Sequence, residues 1–564
     1  MNAFFQTIQD RFKRISKDPE RSRALSLALL GFFALILTMP LFVSLSKGVL
    51  QGKDDLSYHL NRILSIADGL KGGQFPVKVY PDALSGYGYA SPLFYPDLFL
   101  YLPAFLTLIG VPLGISYAVL IGLVLFASGL FYYLFAKKIF SERGALFAAT
   151  LFMGGHYTYA VAIYMAGLGQ ALAAAFAPLV LLGVYNMVRE NFSKPWILLL
   201  AELGITFSHS LSLAIYGVFL LVVVLLNAKK LFPDPRWWKK TGAIFLAYLG
   251  IASCFFVPLI EQFSDVAFLQ SVSWAKLSEF AVKLQNLFFY GGNPLLRRNV
   301  VRFSVGIVGM VCLLLVLLVK RTKDNKRTLN VVYALIAVIF CLQIGVSDLI
   351  PWELFDETVL SVMQFPFRLL MIAQLLLPLT LSLIVRELRK NPLVKAPKRV
   401  FTVLAVAVFA VNAAYSFVYI PEWNEVDLDE TRIHEYVGTG EWLPIYDNAQ
   451  DMGDYREIFA VQTVRGEEGD VPFWRKPHSA SISFRSEEGW YELPLLYYKG
   501  YGAKDAAGNA LEIKPSSEGR VSVLATGGEV TVYYAGTPLQ TVSLAISFVS
   551  ATAFFLLWRR YGDR

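Results

Sequence analysis

Runs of roughly twenty apolar residues, separated by short segments rich in Lys and Arg, recur from one end of this chain to the other. A run of that length is what an α-helix needs to cross the hydrocarbon core of a bilayer. In lipid every backbone N–H and C=O must be satisfied within the segment, so such runs fold as helices. Composition agrees: apolar residues make up 55% and charged residues 17% of the 564, too little charge to cover a soluble surface of that size. The net charge of +8 does not describe a nucleic-acid binder, because the basic residues sit in short loops where they orient membrane segments. The three cysteines, Cys254, Cys312 and Cys341, lie inside apolar runs, so neither a disulfide framework nor a CxxC metal site is available, and redox chemistry and a structural zinc are not expected.

Basic clusters near residues 137–143, 189–194, 229–240, 320–327, 386–399 and 559–564 are read as cytoplasmic, which forces an even number of crossings between successive clusters. The expected spans are 24–46, 114–136, 145–164, 167–186, 196–208, 211–227, 242–261, 303–319, 329–349, 369–386, 400–420 and 539–558. That makes about twelve crossings with both termini cytoplasmic. The same parity leaves one crossing between 47 and 136, so the apolar stretch Leu93–Ile109, which contains Pro96 and Pro103, is expected to lie at the outer interface. The fold class is therefore an all-α polytopic membrane protein with outer juxtamembrane helices and a small β-domain. Residues 1–420 form the transmembrane unit with a first outer loop at 47–113, and 539–564 the last span and tail. Between them, 421–538 reads as an extracytoplasmic β-domain from the alternation Ala480-Ile482-Phe484, Leu511-Ile513, Val521-Val523 and Val530-Val532-Tyr534.

Charged groups cost several kcal/mol in lipid, so those clustered at a membrane face are candidates for function. The densest cluster follows the first span: Lys53-Asp54-Asp55-Leu56-Ser57-Tyr58-His59-Leu60-Asn61-Arg62. On a helix Asp55, His59 and Arg62 fall within roughly a 60° arc. Leu56, Leu60, Ile63, Ala67 and Leu70 form a separate apolar stripe. The segment is expected to be an interfacial helix with an acid, an imidazole and a guanidinium along one edge. The plainer alternative is ordinary helix-surface pairing. All five histidines fall on the expected outer side, and His59, His156 and His209 sit at or near the outer ends of membrane segments, where they could share a polar cavity. A divalent metal ion at Asp55 and His59 is possible, although no spacing here is diagnostic of one. Arg368, in Gln364-Phe365-Pro366-Phe367-Arg368 at the mouth of a span, suits a lipid phosphate or simple snorkelling. Glu261, just after Pro258, is a lone carboxylate that binds substrate or is solvated.

Several of these residues form an ordered series. It runs Asp55-x3-His59-x2-Arg62, Asp68-Gly69-Leu70-Lys71-x-Gly73-x-Phe75-Pro76, Gly86-Tyr87-Gly88-Tyr89, Leu93-Phe94-Tyr95-Pro96, His209-Ser210-Leu211-Ser212, Phe255-Phe256-Val257-Pro258 and Gln364-Phe365-Pro366-Phe367-Arg368. The series resembles the YfhO-like bacterial membrane proteins, also labelled "6-pyruvoyl-tetrahydropterin synthase-related". These are similar to the GT-C superfamily of membrane glycosyltransferases. Gly169-Gln170 stands where such proteins often carry an acidic residue. The resemblance implies a GT-C-like fold in the bacterial cytoplasmic membrane, a polyprenyl-phosphate-linked sugar donor, and an extracytoplasmic glycan or lipid acceptor. It further implies Asp55 as catalytic base, with Asp54 in reserve, and His59, Arg62, His156, His209, Glu261 and Arg368 around the substrate. A polyprenyl phosphate leaves as a stable anion, so one carboxylate suffices for inverting displacement, unlike the paired carboxylates of glycoside hydrolysis. The rival readings are a transporter or flippase of lipid-linked sugars, for which paired halves and mid-span ionisable residues are missing, and a non-catalytic envelope-assembly protein of the same fold.

Overall fold

The computed structural model describes residues 18–52, 55–271, 276–287, 304–390, 407, 410, 424–426 and 428–561. The chain enters through α1 (Pro19–Leu45), passes a short strand β1 (Leu50–Gly52), and forms a long first loop that holds α2 (Leu56–Lys71) and α3 (Tyr101–Leu108). Asp18 starts α1 by accepting hydrogen bonds from the backbone N–H groups of Glu20 and Arg21, with Pro19 at the first helical position. Next come α4 (Leu113–Ala136) and a bent pair, α5 (Glu142–Met153) and α6 (His156–Tyr159), the latter running on as a π-turn to Tyr164. Then follow α7 (Leu168–Arg189), α8 (Trp196–Thr206), α9 (Ser210–Leu226), α10 (Pro235–Phe263), α11 (Ile307–Leu313), α12 (Lys326–Gly345) and α13 (Leu370–Leu388).

Among the described residues seven helices are long and apolar enough to cross a membrane, and the bent pair adds one more if it counts as a single span. The protein is a multi-pass membrane protein. Three expected crossings are short: α8 has 11 residues, α9 has 17, and the segment around α11 is apolar only over Val308–Leu318. The expected span 400–420 lies largely outside the described residues. The span expected at 145–164 is broken by 48° at Gly154-Gly155. There α13 comes so close that a Cβ on Gly155 would stand 1.8 Å from the Gln374 amide nitrogen. The stretch 93–109 contributes one short helix over Leu98–Leu108, a 3-10 turn running into the 8-residue α3, roughly 18 Å long and short of a bilayer. Leu98, Leu102, Phe105 and Ile109 are exposed along it.

After the last described part of the bundle come β2 (Asn424–Val426), α14 (Glu430–His434) and α15 (Met452–Phe459). Strand β2 pairs antiparallel with β1, and Ile433, Val437, Leu443 and Tyr455 join the main hydrophobic core. This segment therefore packs onto the first loop, and the sheet proper begins at Val464. Its strands are β3 (Val464–Gly466), β4 (Gly469–Val471), β5 (Phe473–Arg475), β6 (Ser481–Leu496), β7 (Tyr501–Asp505), β8 (Ala510–Leu511), β9 (Ile513–Pro515) and β10 (Arg520–Tyr534). They form an antiparallel sheet in the order β4-β3-β6-β10-β7-β8, with β5 added on β6 and β9 on β10. The alternating residues meet as expected, Val530 opposite Phe484 and Val532 opposite Ile482, over a small core of their own. The runs 521–523 and 530–534 belong to one strand, because Gly527 and Gly528 take positive φ inside β10 without ending the pairing. The last helix, α16 (Pro538–Tyr561), returns to pack along α10.

Candidate functional site

Helix α2 is not the half-exposed interfacial helix its amphipathic pattern suggests. Nearly all of it is buried, with His59 1% and Arg62 2% exposed, because the loop 76–100 and the segment 430–443 cover its polar edge. What makes this tolerable is a full set of partners. Arg62 Nε donates to Asp97 Oδ1 at 3.0 Å, its NH2 group donates to the same oxygen and to the Pro96 carbonyl at 2.7 Å, and NH1 donates to His59 Nδ1 at 3.1 Å. Tyr80 Oη donates to the other Asp97 oxygen. A buried charge pair is stable only when its remaining hydrogen-bonding capacity is filled in this way. Burial pulls the Arg62 guanidinium down, but Asp97 beside it outweighs that and the net shift is upward. Burial, then the Arg62 charge, then His209 hold His59 well below the ordinary imidazole range, so its ring is neutral.

Tyr95 is the hub of this group. Arg62 lies over its ring at 4.2 Å, the His59 ring stacks at 6.5 Å, and His209 meets it edge-on at 5.9 Å. Gly169 is fitted to the same residue: a Cβ there would stand 2.1 Å from the Tyr95 hydroxyl. His209 is the N-cap of α9, and its Nδ1 accepts the Ser212 backbone N–H at 3.1 Å. In the neutral ring that leaves the proton on Nε2, a donor.

Arg368 completes the arrangement from the turn before α13. Its NH1 donates to the Met363 carbonyl and to Gln364 Oε1, each at 2.8 Å, and its guanidinium lies 4.7 Å from the Phe365 ring centre. The Nε–H is buried and has no hydrogen-bond partner among the described residues. Tyr95, Asp55, Tyr157 and Glu441 act on it electrostatically. Asp55 is the exposed N-cap of α2 and makes no side-chain capping bond. Its backbone N–H donates to the Met165 carbonyl at 3.4 Å, just past the π-turn. Burial pushes the Glu441 carboxyl up against the pull of Thr439, Arg368 and Arg62.

The structure thus brings together Asp55, His59, Arg62, His209 and Arg368, and places the other expected residues elsewhere. Asp54 lies outside the described residues. His156 sits at the break between α5 and α6, lining a small cleft with Gly155, Val305, Gly309, Leu377 and Pro378. Glu261 accepts a hydrogen bond from Thr537 Oγ1 at 2.6 Å and faces Lys78, so it ties α10 to the start of α16. The Asp55–His59 pair does not fit a metal ion, because His59 Nδ1 is taken by Arg62, whose positive charge would oppose a second cation beside it. Sequence reasoning missed Asp97, Tyr80 and Glu441. For Asp97 a signal was present, since it is the lone carboxylate in the apolar stretch 93–109. Tyr80 and Glu441 carried none, because each acts through chain distant from α2.

Residues 3–355 match the model of a family described as a family of unknown function, DUF6541. The chain belongs to that family. The family's description names no activity, so the YfhO-like naming stays a resemblance of motifs. A Lactococcus lactis subsp. cremoris (strain MG1363) protein, described as uncharacterized, is 26% identical over 273 residues, covering 46% of this chain and 44% of the relative. The chain thus aligns with less than half of that relative. Among solved structures, the mycobacterial arabinofuranosyltransferase AftD aligns with 70% of this chain and 26% of its own length, at 16% identity and a TM-score of 0.43. A mutant of the same enzyme gives 17% identity and 0.42.

Proposed function

We propose that this protein is a membrane glycosyltransferase that moves a sugar from a polyprenyl-phosphate donor to an extracytoplasmic glycan or lipid acceptor. In this reading it resides in a bacterial cytoplasmic membrane with both termini cytoplasmic and the sheet outside. The observation that carries the reading is Arg368, a buried guanidinium whose Nε–H has no hydrogen-bond partner among the described residues, within electrostatic reach of Asp55, an exposed residue. An anion such as the donor phosphate answers the first. A hydroxyl that must lose its proton answers the second.

The chemistry balances without a general acid. Asp55 takes the acceptor hydroxyl proton as that oxygen bonds to the sugar's anomeric carbon from the face opposite the phosphate. The bond from that carbon to the phosphate oxygen breaks, and the electron pair leaves with the phosphate, which Arg368 and the Nε2–H of His209 stabilise. Arg62, with four of its five N–H groups engaged by Asp97, Pro96 and His59, acts as a positioning residue. Glu441 provides a further negative charge opposite Arg368.

The test uses purified wild type, Asp55→Asn and Arg368→Gln with polyprenyl-phosphate sugars and an acceptor. Asp55→Asn is expected to lower kcat by about 10²–10⁴ at unchanged Tm, and Arg368→Gln to raise the KM for the donor. Wild-type transfer by Asp55→Asn removes the base assignment. Donor moved across the bilayer without sugar transfer replaces the enzyme with a flippase.

A further inference from the structure

Among the described residues one group of three metal-ligating side chains brings its donor atoms within 4.8 Å of one another: Asp68, Asp82 and His478. None of the three belongs to the site around Arg368. They come from three separate segments: Asp68 from the last turns of α2, Asp82 from the loop that follows it, and His478 from the connection between β5 and β6. His478 Nδ1 stands 2.7 Å from Asp82 Oδ2 and 3.8 Å from Asp68 Oδ1. Asp68 is buried while the other two are half-exposed, so the group is open to solvent on one side.

The geometry points to a divalent-cation site of the zinc type, which fastens the β-sheet to α2. Tetrahedral zinc with ligands at about 2.0–2.1 Å separates neighbouring donors by roughly 3.3 Å, and the observed separations bracket that figure. One imidazole nitrogen with two carboxylate oxygens suits zinc rather than calcium, which takes oxygen ligands in larger number. The fourth position would hold water. The surroundings support the donors as outer-shell groups do at metal sites. His434 Nε2 lies 3.1 Å from Asp68 Oδ2 and fixes that carboxylate. Behind it Ser65 Oγ donates to Asn61 Oδ1 at 2.7 Å, and Asn61 donates to the Tyr436 carbonyl at 2.9 Å. Asp68 also stands one turn before the α2 C-cap at Gly72, where the helix dipole favours a cation.

One cation already serves this negative pocket. Lys71 Nζ donates to Asp68 Oδ1 at 2.8 Å, with its side chain 41% exposed on a flexible stem. A metal ion would displace that ammonium to solvent. Lys71 is therefore a competitor whose removal tightens metal binding, the reverse of what a merely structural ion pair predicts.

The experiment uses the full chain in detergent, purified through a tag without histidine and stripped with EDTA, and titrates Zn²⁺ alone against a chromophoric chelator. The expected result is one zinc per chain. Affinity should fall at least tenfold in Asp82→Asn and in His478→Ala, rise in Lys71→Gln, and be absent for Ca²⁺. Both weakened positions are half-exposed, and melting in EDTA confirms that the variants are folded. Zinc is further expected to raise the Tm of the wild type and not that of His478→Ala. Wild type that takes no zinc at micromolar concentration overturns the site. So does zinc binding that is identical in wild type, Asp82→Asn and His478→Ala.

Discussion

Helix α2 carries a polar cluster at each end, built from the same side-chain types at different depth. At its N-terminal end His59 and Arg62 are sealed from water and joined to Asp97. At its C-terminal end Asp68 is buried, but its partners Lys71 and His478 are 41% exposed. Depth decides what each cluster can do. The sealed end has one fixed ion pair and a neutral imidazole, which suits holding a shape for chemistry at Asp55 and Arg368. The open end can exchange partners. Burial pushes the Asp68 carboxyl up, yet hydrogen bonds from His434 and Lys71 outweigh it and the net shift is downward. Stability from Asp68 is therefore present above the ordinary carboxylate range and lost as pH falls through its lowered value.

The largest expected effect is at the sealed end. Arg62→Leu leaves Asp97 buried without its cation, a loss of about 3–5 kcal/mol, read as a lower Tm and faster proteolysis of the loop 76–100. The double change Arg62→Leu with Asp97→Leu should recover much of it, since no orphaned charge remains. A single variant as stable as wild type would mean that water reaches this end too, and the contrast between the two ends would vanish.

The parts of this arrangement that were legible in the sequence are those set by short-range periodicity. A helix over 54–71 was expected and one over Leu56–Lys71 is found, with His59 and Arg62 on one edge as a 3.6-residue period requires. The seven long helices and the alternation in the sheet follow from the same kind of pattern. What stayed hidden depends on contacts far apart in the chain. The amphipathic pattern of α2 looks interfacial until Asp97, held in turn by Tyr80, supplies a partner for its polar edge. Nor does composition separate 424–463, which packs on the first loop, from the sheet that follows, because both are mixed polar and apolar segments. The break at Gly154-Gly155 was hidden for a related reason: hydropathy sums over 145–164 and is blind to the close approach of Gln374.

A middle-sized effect concerns acid. His59 in the folded protein is held well below its ordinary range, whereas in the unfolded chain it takes a proton near pH 6.5. The unfolded state then binds more protons, so stability falls as pH drops below about 6.5, by up to about 1.4 kcal/mol per unit from this one group. His59→Gln should flatten that slope between pH 6.5 and 5.5 in a denaturation series. An unchanged slope would assign the acid sensitivity to another group.

The smallest effect belongs to the open end, at His478. This residue holds φ +54°, a left-handed conformation that costs a side chain about 1–2 kcal/mol. Gly72 makes the close approach of this residue possible: a Cβ on it would stand 1.9 Å from the His478 carbonyl oxygen. His478→Gly removes the strain but also the contact with Asp82, worth about 0–1 kcal/mol for a partly exposed pair, and gives the unfolded chain about 0.5–1 kcal/mol of extra freedom. The terms nearly cancel, so in EDTA its stability should lie within about 1 kcal/mol of wild type. Added Zn²⁺ should then separate the two, stabilising wild type alone, because a metal bound only to the folded state adds its binding free energy to stability. A loss of more than about 2 kcal/mol in EDTA would instead mean that this hairpin is determined as tightly as the buried end, and that depth is not what distinguishes the two clusters on α2.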